Sequence, residues 1–260
     1  MKTLIATFLI SLSSSFALSN MAWAAGGGVH LEEVEINLNN KASLQRGAQL
    51  FVNYCLNCHA ASYMRYSRMA KDIGLTDAQV TENMIFPADF SKEKNGKQKK
   101  SGQLMTVAMS EEDGKAYFGT AAPDLSVVAR SRGADWIYTY LKSFYIDESR
   151  PFGVNNTTFP AVGMPHVLWE LEGLKKAVKT KHTDENGHET ETVTYETVVP
   201  GKMSTAEYDG AVTDLVNFLE YMGEPAKLVR YKMGVYVLGF LFLLFIVSYA
   251  MKKEFWKDVH

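Results

Sequence analysis

Two thiols and an imidazole stand together at Cys55-Leu56-Asn57-Cys58-His59, and the chain of 260 residues has no other cysteine. At the spacing C-x-x-C-H each thiol can form a thioether to one vinyl group of a haem, while the adjacent histidine reaches the iron as proximal ligand. This constrains the fold more than any other feature, because the core must then be built around a large flat group fastened to this stretch. Two other chemistries use the same residue types. A redox-active C-x-x-C pair normally follows a strand in a βαβ unit. Here residues 44–54 read as a helix, with Ser43 as its N-cap. A zinc site would call for a second C-x-x-C pair, and there is none. The stretch therefore reads as the attachment site of a single c-type haem, with Cys55 and Cys58 holding the ring and His59 on the iron.

The two ends of the chain say where such a protein works. Residues 1–24 read as a secretory signal peptide: Lys2 is the basic start, an apolar and Ser-rich run covers Leu4 to Leu18, and Ala22-Trp23-Ala24 is a small-x-small cleavage site. Met233 to Met251 is a run of 19 residues without a charge, nearly long enough as a helix to cross the ~30 Å hydrocarbon core of a bilayer. Tyr231, Tyr236, Tyr249 and Trp256 lie toward or beyond its ends, where amphipathic rings favour the interface. Lys252, Lys253 and Lys257 follow, so the positive-inside rule puts the tail in the cytoplasm and the haem on the export side. The expected organisation is a signal peptide over 1–24, an exported haem domain over 25–230, a transmembrane helix over 231–251 and a cytoplasmic tail over 252–260. The expected location is a bacterial inner membrane with the haem domain in the periplasm.

Within residues 25–251 there are 23 Lys and Arg against 27 Asp and Glu, a mildly acidic balance. The clusters Glu111-Glu112-Asp113 and Asp184-Glu185 are solvated surface or steer a basic soluble redox partner. No nucleic-acid partner is expected. Gly47 in the first helix permits close approach of another helix. A second helix is expected over 135–145, with Trp136, Ile137, Tyr140, Leu141 and Phe144 on one face. A third starts at the capping box Ser204-Thr205-Ala206-Glu207, carries Val212, Leu215, Val216 and Leu219 as an apolar stripe, and breaks at Gly223-Glu224-Pro225. Residues 91–102 are a lysine-rich surface loop. Residues 178–199 read as a β-hairpin turning at Asn186-Gly187.

A haem iron with one protein ligand binds gases or substrates, and with two it mainly carries electrons. Met164 lies in the Gly- and Pro-containing stretch Phe159-Pro160-Ala161-Val162-Gly163-Met164-Pro165-His166, an irregular loop able to hold a sulfur over a haem. Met203, His166, another methionine and an open site are the alternatives. An open site would make the protein an enzyme or a gas sensor.

Taken in order, these segments resemble the cytochrome c1 family, the haem subunits of the quinol–cytochrome c reductase (cytochrome bc1) complex. The resemblance rests on Cys55-x-x-Cys58-His59 with Tyr63-Met64-Arg65-Tyr66 after it. Ala122-Pro123-Asp124-Leu125-Ser126 is similar to the family's P-P-D-L-S, with Ala122 in place of one proline, and Arg130-Ser131-Arg132 is similar to its R-x-R. Ala161-Val162-Gly163-Met164-Pro165 is similar to the loop of the axial methionine, with the usual proline run reduced to Pro165. Met203-Ser204, Gly223-Glu224-Pro225 and a single C-terminal span complete it. His59 and Met164 are 105 residues apart, a wider gap than in small soluble cytochromes c.

The resemblance implies a mainly α, class I cytochrome c fold with a β-hairpin insertion and one C-terminal transmembrane helix, the first helix of the domain crossing the last. It implies His59 and Met164 as the metal ligands of one covalent haem c, and no bond-breaking catalytic residue. Arg132, and with it Arg130, can pair with a haem propionate, since guanidinium binds carboxylates bidentately and keeps its charge when buried. The implied role is to take an electron from a Rieske iron–sulfur protein, beside cytochrome b, and pass it to a soluble c-type cytochrome. The alternative is a membrane-anchored cytochrome c serving a terminal oxidase. Membrane lipid is the remaining expected partner.

Overall fold

A computed structural model describes residues 30–86, 101–107, 109–183 and 189–258. The proposed signal peptide, nearly all of the lysine-rich loop, Asp184-Glu185 and the Asn186-Gly187 turn lie outside the described residues.

Helix α1 (Lys41–Leu50) starts at Asn40, whose side-chain oxygen accepts from Ser43 N at 3.1 Å. Ser43, expected to be the cap, lies inside the helix with its hydroxyl buried, accepting from Asn217 Nδ2 at 3.0 Å. Asparagine three residues earlier caps as well as serine does, so composition alone did not separate them. One widened turn, Phe51–Cys55, prolongs α1, with Leu56 N donating to Phe51 O at 2.9 Å. π-type turns of this sort concentrate at functional sites. The chain then tightens, and Cys58 N and His59 N both donate to Cys55 O, at 3.0 and 2.8 Å.

Strand β1 (Ala61–Arg65) follows, then α2 (Tyr66–Ile73) and α3 (Asp77–Asn83), and β1 pairs antiparallel with the short β2 (Leu104–Met105). The acidic cluster Glu111-Glu112-Asp113 is the first turn of α4 (Glu111–Phe118), where the Ser110–Asp113 capping box holds it. Negative charge there complements the helix dipole. Helices α5 (Val128–Arg132) and α6 (Ala134–Lys142) come next. The expected helix over 135–145 thus stops at Lys142, and Phe144 belongs to β3 (Phe144–Ile146), paired antiparallel with β4 (Val154–Asn156).

After α7 (Trp169–Glu172) the chain forms the long antiparallel hairpin of β5 (Gly173–Thr183) and β6 (Glu189–Pro200). It is longer at both ends than the expected 178–199. Its root is welded to the domain. Gly173 has φ +94°, and a Cβ there would lie 2.3 Å from Val199 O. The Lys175 ammonium donates to Lys142 O and to Glu172, and sits 4.3 Å over the Tyr195 ring.

Helix α8 (Thr205–Gly223) begins at the expected capping box, Ser204 with Glu207, and its buried face packs across α1. At the crossing Gly47 touches backbone: an added Cβ would lie 2.0 Å from Asp214 O. Arg46 flanks the contact with two hydrogen bonds to Asp214, 2.5 and 2.9 Å, and Phe51 meets Phe218 at 5.6 Å between ring centroids. Asn217, buried, ties the N-terminal segment to the crossing by bonds to Asn37 N and O (3.1 and 3.0 Å). The expected crossing of the domain's first and last helices is therefore present, with Gly47 as its point of closest approach.

Helix α9 (Lys227–Phe255) is one uninterrupted element of 29 residues, none of them buried. It exceeds the expected 231–251 by a turn at each end and is long and apolar enough to cross a membrane. The domain is thus mainly helical with small antiparallel hairpins and one long apolar C-terminal helix.

Gly47→Ala is expected to lower stability by about 2–3 kcal/mol, the cost of overpacking at a site that cannot yield, despite alanine's better helix propensity. The measurement is the thermal midpoint of the haem-loaded protein, which should fall. A chain ending at Ala226 should leave the membrane fraction while keeping its bound haem, read by fractionation and visible absorbance.

Candidate haem site

A cavity of about 460 Å³ opens among α1, α6, α8 and the loops after α4 and β4. Its wall is mostly apolar, with Ile137, Leu141, Leu215 and Leu219 among its members, and it gathers Cys55, Cys58, His59, Met164 and Arg132. The structure thus brings five of the six expected site residues to one space. Arg130 is not in the lining; its side chain lies against Gly223 of α8.

The thiols are free, and both have their pKa raised. Burial, with help from the neighbouring Cys58, pushes Cys55 up to about 12, and burial raises Cys58 as well. That is the opposite of the electropositive setting that activates a redox C-x-x-C pair.

His59 is oriented by the segment Ala122-Pro123-Asp124-Leu125-Ser126. Its Nδ1 lies 2.8 Å from Pro123 O. A carbonyl can only accept, so Nδ1 carries the hydrogen and Nε2 keeps its lone pair, the form an iron ligand needs. Burial lowers the His59 pKa, against the opposing pull of the Pro123 bond and Asp124, which favours the neutral ring. The segment is latched in place: Asp124 accepts from Ser126 N (2.7 Å) and Ser62 N (2.9 Å), and Leu125 N donates to Ala60 O (2.8 Å).

The loop bearing Met164 is held by polar groups that no sequence signal marked. Ala161 takes φ +61°, a left-handed conformation costly for a residue with a Cβ. Asn155 Oδ1 accepts from its N–H at 2.9 Å, and Arg150 donates to its carbonyl at 3.0 Å. Asn156, buried, accepts from Thr158 N and Phe159 N (2.9 Å each) and donates to Tyr140 O (2.8 Å). The Tyr140 hydroxyl donates to Met164 Sδ at 3.3 Å, and burial pushes its pKa well up, so it stays protonated. Tyr140 had a signal: it sits one helical turn from Trp136 in the aromatic stripe, and both line the cavity. The other candidate ligands lie elsewhere. Met203 packs against the core, and His166 is buried with Nε2 2.9 Å from Glu172, its ring stacked on Phe144.

An apolar cavity holding two neutral thiols, an imidazole with a free Nε2 and a thioether suits a haem fastened by its vinyl groups, and defines a c-type haem protein. A sequence model of the Cytochrome C1 family matches residues 33–259, and the chain belongs to that family. It is 47% identical to a cytochrome c1 of Allochromatium vinosum over all of this chain and 99% of the relative. It is 41% identical to a Nitrosomonas europaea protein named ammonia monooxygenase gamma subunit, over 92% of this chain and 93% of that one. It is 25% identical to a cytochrome c1 of Rhodobacter capsulatus over 95% and 96% of the two chains. The protein is accordingly an electron-transfer cytochrome carrying one covalently bound haem c, and Cys55 and Cys58 fit the attachment motif.

Cys58→Ser is expected to leave at most one thioether. Haem should then be lost in part on acid extraction, and the alkaline pyridine spectrum should shift toward that of a singly attached haem.

Proposed function

We propose that the chain is the membrane-anchored haem subunit of a quinol–cytochrome c reductase, in which Cys55 and Cys58 would hold the haem by thioethers and His59 and Met164 would ligate its iron. The observation that carries the reading is the single cavity lined by both thiols, an imidazole with Nε2 unprotonated, and one methionine sulfur. When bound, haem supplies a reversible one-electron change at iron.

The chain's own residues do the remaining work. Pro123 holds the His59 ring in one tautomer and orientation. Met164 offers a soft sulfur that favours ferrous iron and so a raised potential. Ile137, Leu141, Leu215 and Leu219 keep water from the cavity. Arg132 lines the cavity with its guanidinium 5.0 Å over Trp136, within reach of a role in pairing a propionate. Arg130, outside the lining, is given no such role.

In this reading cytochrome b and a Rieske iron–sulfur protein are its complex partners. The Rieske protein supplies the electron, a soluble c-type cytochrome takes it, and lipid surrounds α9. The haem domain faces the periplasm and the tail beyond residue 251 faces the cytoplasm, supported by Lys252, Lys253 and Lys257. Purification of the tagged chain from native membranes tests the assignment. Cytochrome b and a Rieske protein should accompany it; oxidase or monooxygenase subunits in their place would overturn it. Met164→Leu should keep covalent haem but lower its midpoint potential by on the order of 100 mV, read by redox titration.

A further inference from the structure

The hairpin of β3 and β4 grips the chain at Ala161 from both sides. Asn155 Oδ1 accepts from Ala161 N at 2.9 Å, and Arg150 Nη2 donates to the carbonyls of Ala161 and Val162 at 3.0 and 3.4 Å. Among the described residues, Ala161 alone has a positive φ without being glycine, at +61°. Arg150 Nε is buried and has no partner among the described residues, a cost that an arginine free to turn to solvent would avoid. We propose that Arg150 is a positioning residue for the iron: it holds Ala161 in the left-handed conformation that carries Met164 to the haem, and so keeps the iron closed to outside ligands. The proposal rests on Met164 being the axial ligand.

The physical ground is where the loop keeps its freedom. Pro160 has its φ fixed by its ring, and Met164, standing before Pro165, is restricted to extended conformations. The remaining freedom lies at residues 161–163. An alanine released from its partners leaves the left-handed region for the broader right-handed or extended ones. Three residues before the sulfur, that rotation would swing Met164 out of the cavity lining. Arg150 opposes it at two successive carbonyls, and its charge strengthens both bonds. Arg150 is itself outside the lining, so it reaches the iron only through the loop.

The grip is also preorganised. Asp147 Oδ2 accepts from Asn155 Nδ2 at 2.9 Å, and its Oδ1 accepts from Ser149 N and Oγ at 3.1 and 2.6 Å. Arg150 N donates to Asp147 O at 3.1 Å and Gly153 N to Arg150 O at 2.9 Å, so the turn is closed on itself. Phe152 meets Phe118 at 5.5 Å between ring centroids, and a Cβ added at Gly163 would lie 3.2 Å from Phe118 O. The end of α4 thus backs both the turn that carries Arg150 and the loop that carries Met164. A guanidinium supported in this way holds the loop without having to be ordered first.

The test is Arg150→Leu in the full, haem-loaded chain, which keeps part of the apolar stem and removes the donors. The near-infrared charge-transfer band of methionine-ligated ferric haem is recorded first. Its absence from the unsubstituted protein would defeat both the ligand assignment and this proposal. With the band present, Arg150→Leu should keep its covalent haem while imidazole displaces Met164 at roughly a tenfold lower concentration, the factor that one hydrogen bond from a charged donor carries. Its ferrous form should also take up carbon monoxide, which a closed iron resists. Ala161→Gly added to Arg150→Leu should recover much of the resistance, since glycine takes a positive φ without strain. Unchanged displacement by imidazole in Arg150→Leu would overturn the proposal and leave the ligand assignment standing, and so would a failure of glycine to restore resistance. A packing role alone would lower the thermal midpoint without opening the iron, and that also counts against it. Should Arg150→Leu fail to accumulate haem, Ala161→Gly alone decides. Relieved of strain, it must resist imidazole better than the unsubstituted protein, and no change refutes the idea.

Discussion

Gly47 lets α1 and α8 meet backbone to backbone, and the rest of the cavity follows from that contact. A side chain there would occupy the space of Asp214 O. With the helices at this separation, Phe51 reaches Phe218 on one side of the crossing, and Leu215 and Leu219 are presented to the cavity. The same contact aims the end of α1. The widened turn at Phe51–Cys55 and the tight turn after it project Cys58 and His59 into the cavity from the helix that α8 clamps. Arg46 and Asp214 fasten the crossing from outside, where the arginine is solvent-exposed, so the pair adds register more than stability.

Around that scaffold, polar bonds to backbone and sulfur do the fine positioning. Pro123 O and the Tyr140 hydroxyl each aim one candidate ligand, and each is braced by a further layer. Asp124 and Leu125 brace the first, while Trp136, Phe144 and Asn156 brace the second. The strained φ of Ala161 belongs to the same design: two side chains, Arg150 and Asn155, hold the backbone where an alanine would not settle alone. The hairpin takes part through its root, since Lys175 bonds both Glu172, the neighbour of His166, and the last carbonyl of α6.

The parts legible in the sequence are those that depend on short-range pattern. C-x-x-C-H, the Ser204 capping box, the charge-free run toward the C-terminus and the alternation of the hairpin are local signals, and each has its element in the structure. The cap of α1 is not legible locally because Asn40 and Ser43 are equally good candidates, and only the distant Asn217, by engaging the Ser43 hydroxyl, separates them. The end of α6 is not legible because the apolar stripe continues through Phe144 after the helix has stopped, where pairing with Asn156 takes over. Arg130 and Arg132 look alike in sequence, yet Arg132 alone lines the cavity. Asn155, Asn156 and Arg150 left no trace, since a buried amide that satisfies a loop backbone has no period and no motif.

The path from cavity to anchor is short and stiff. Helix α8 lines the cavity with Leu215 and Leu219 and ends at Gly223, and α9 begins at Lys227. The three residues between can span at most about 11 Å even when extended. Two ion pairs bind the joint: Lys227 of α9 with Glu220 of α8 at 2.5 Å, and Arg230 of α9 with Glu224 at 2.6 Å. A flexible tether would let the domain roam far from the helix that anchors it; this joint instead keeps the cavity at a nearly constant distance from the start of α9. A haem domain mounted in this way has its reach set by α9 and not by a tether, because the joint leaves little slack between cavity and anchor.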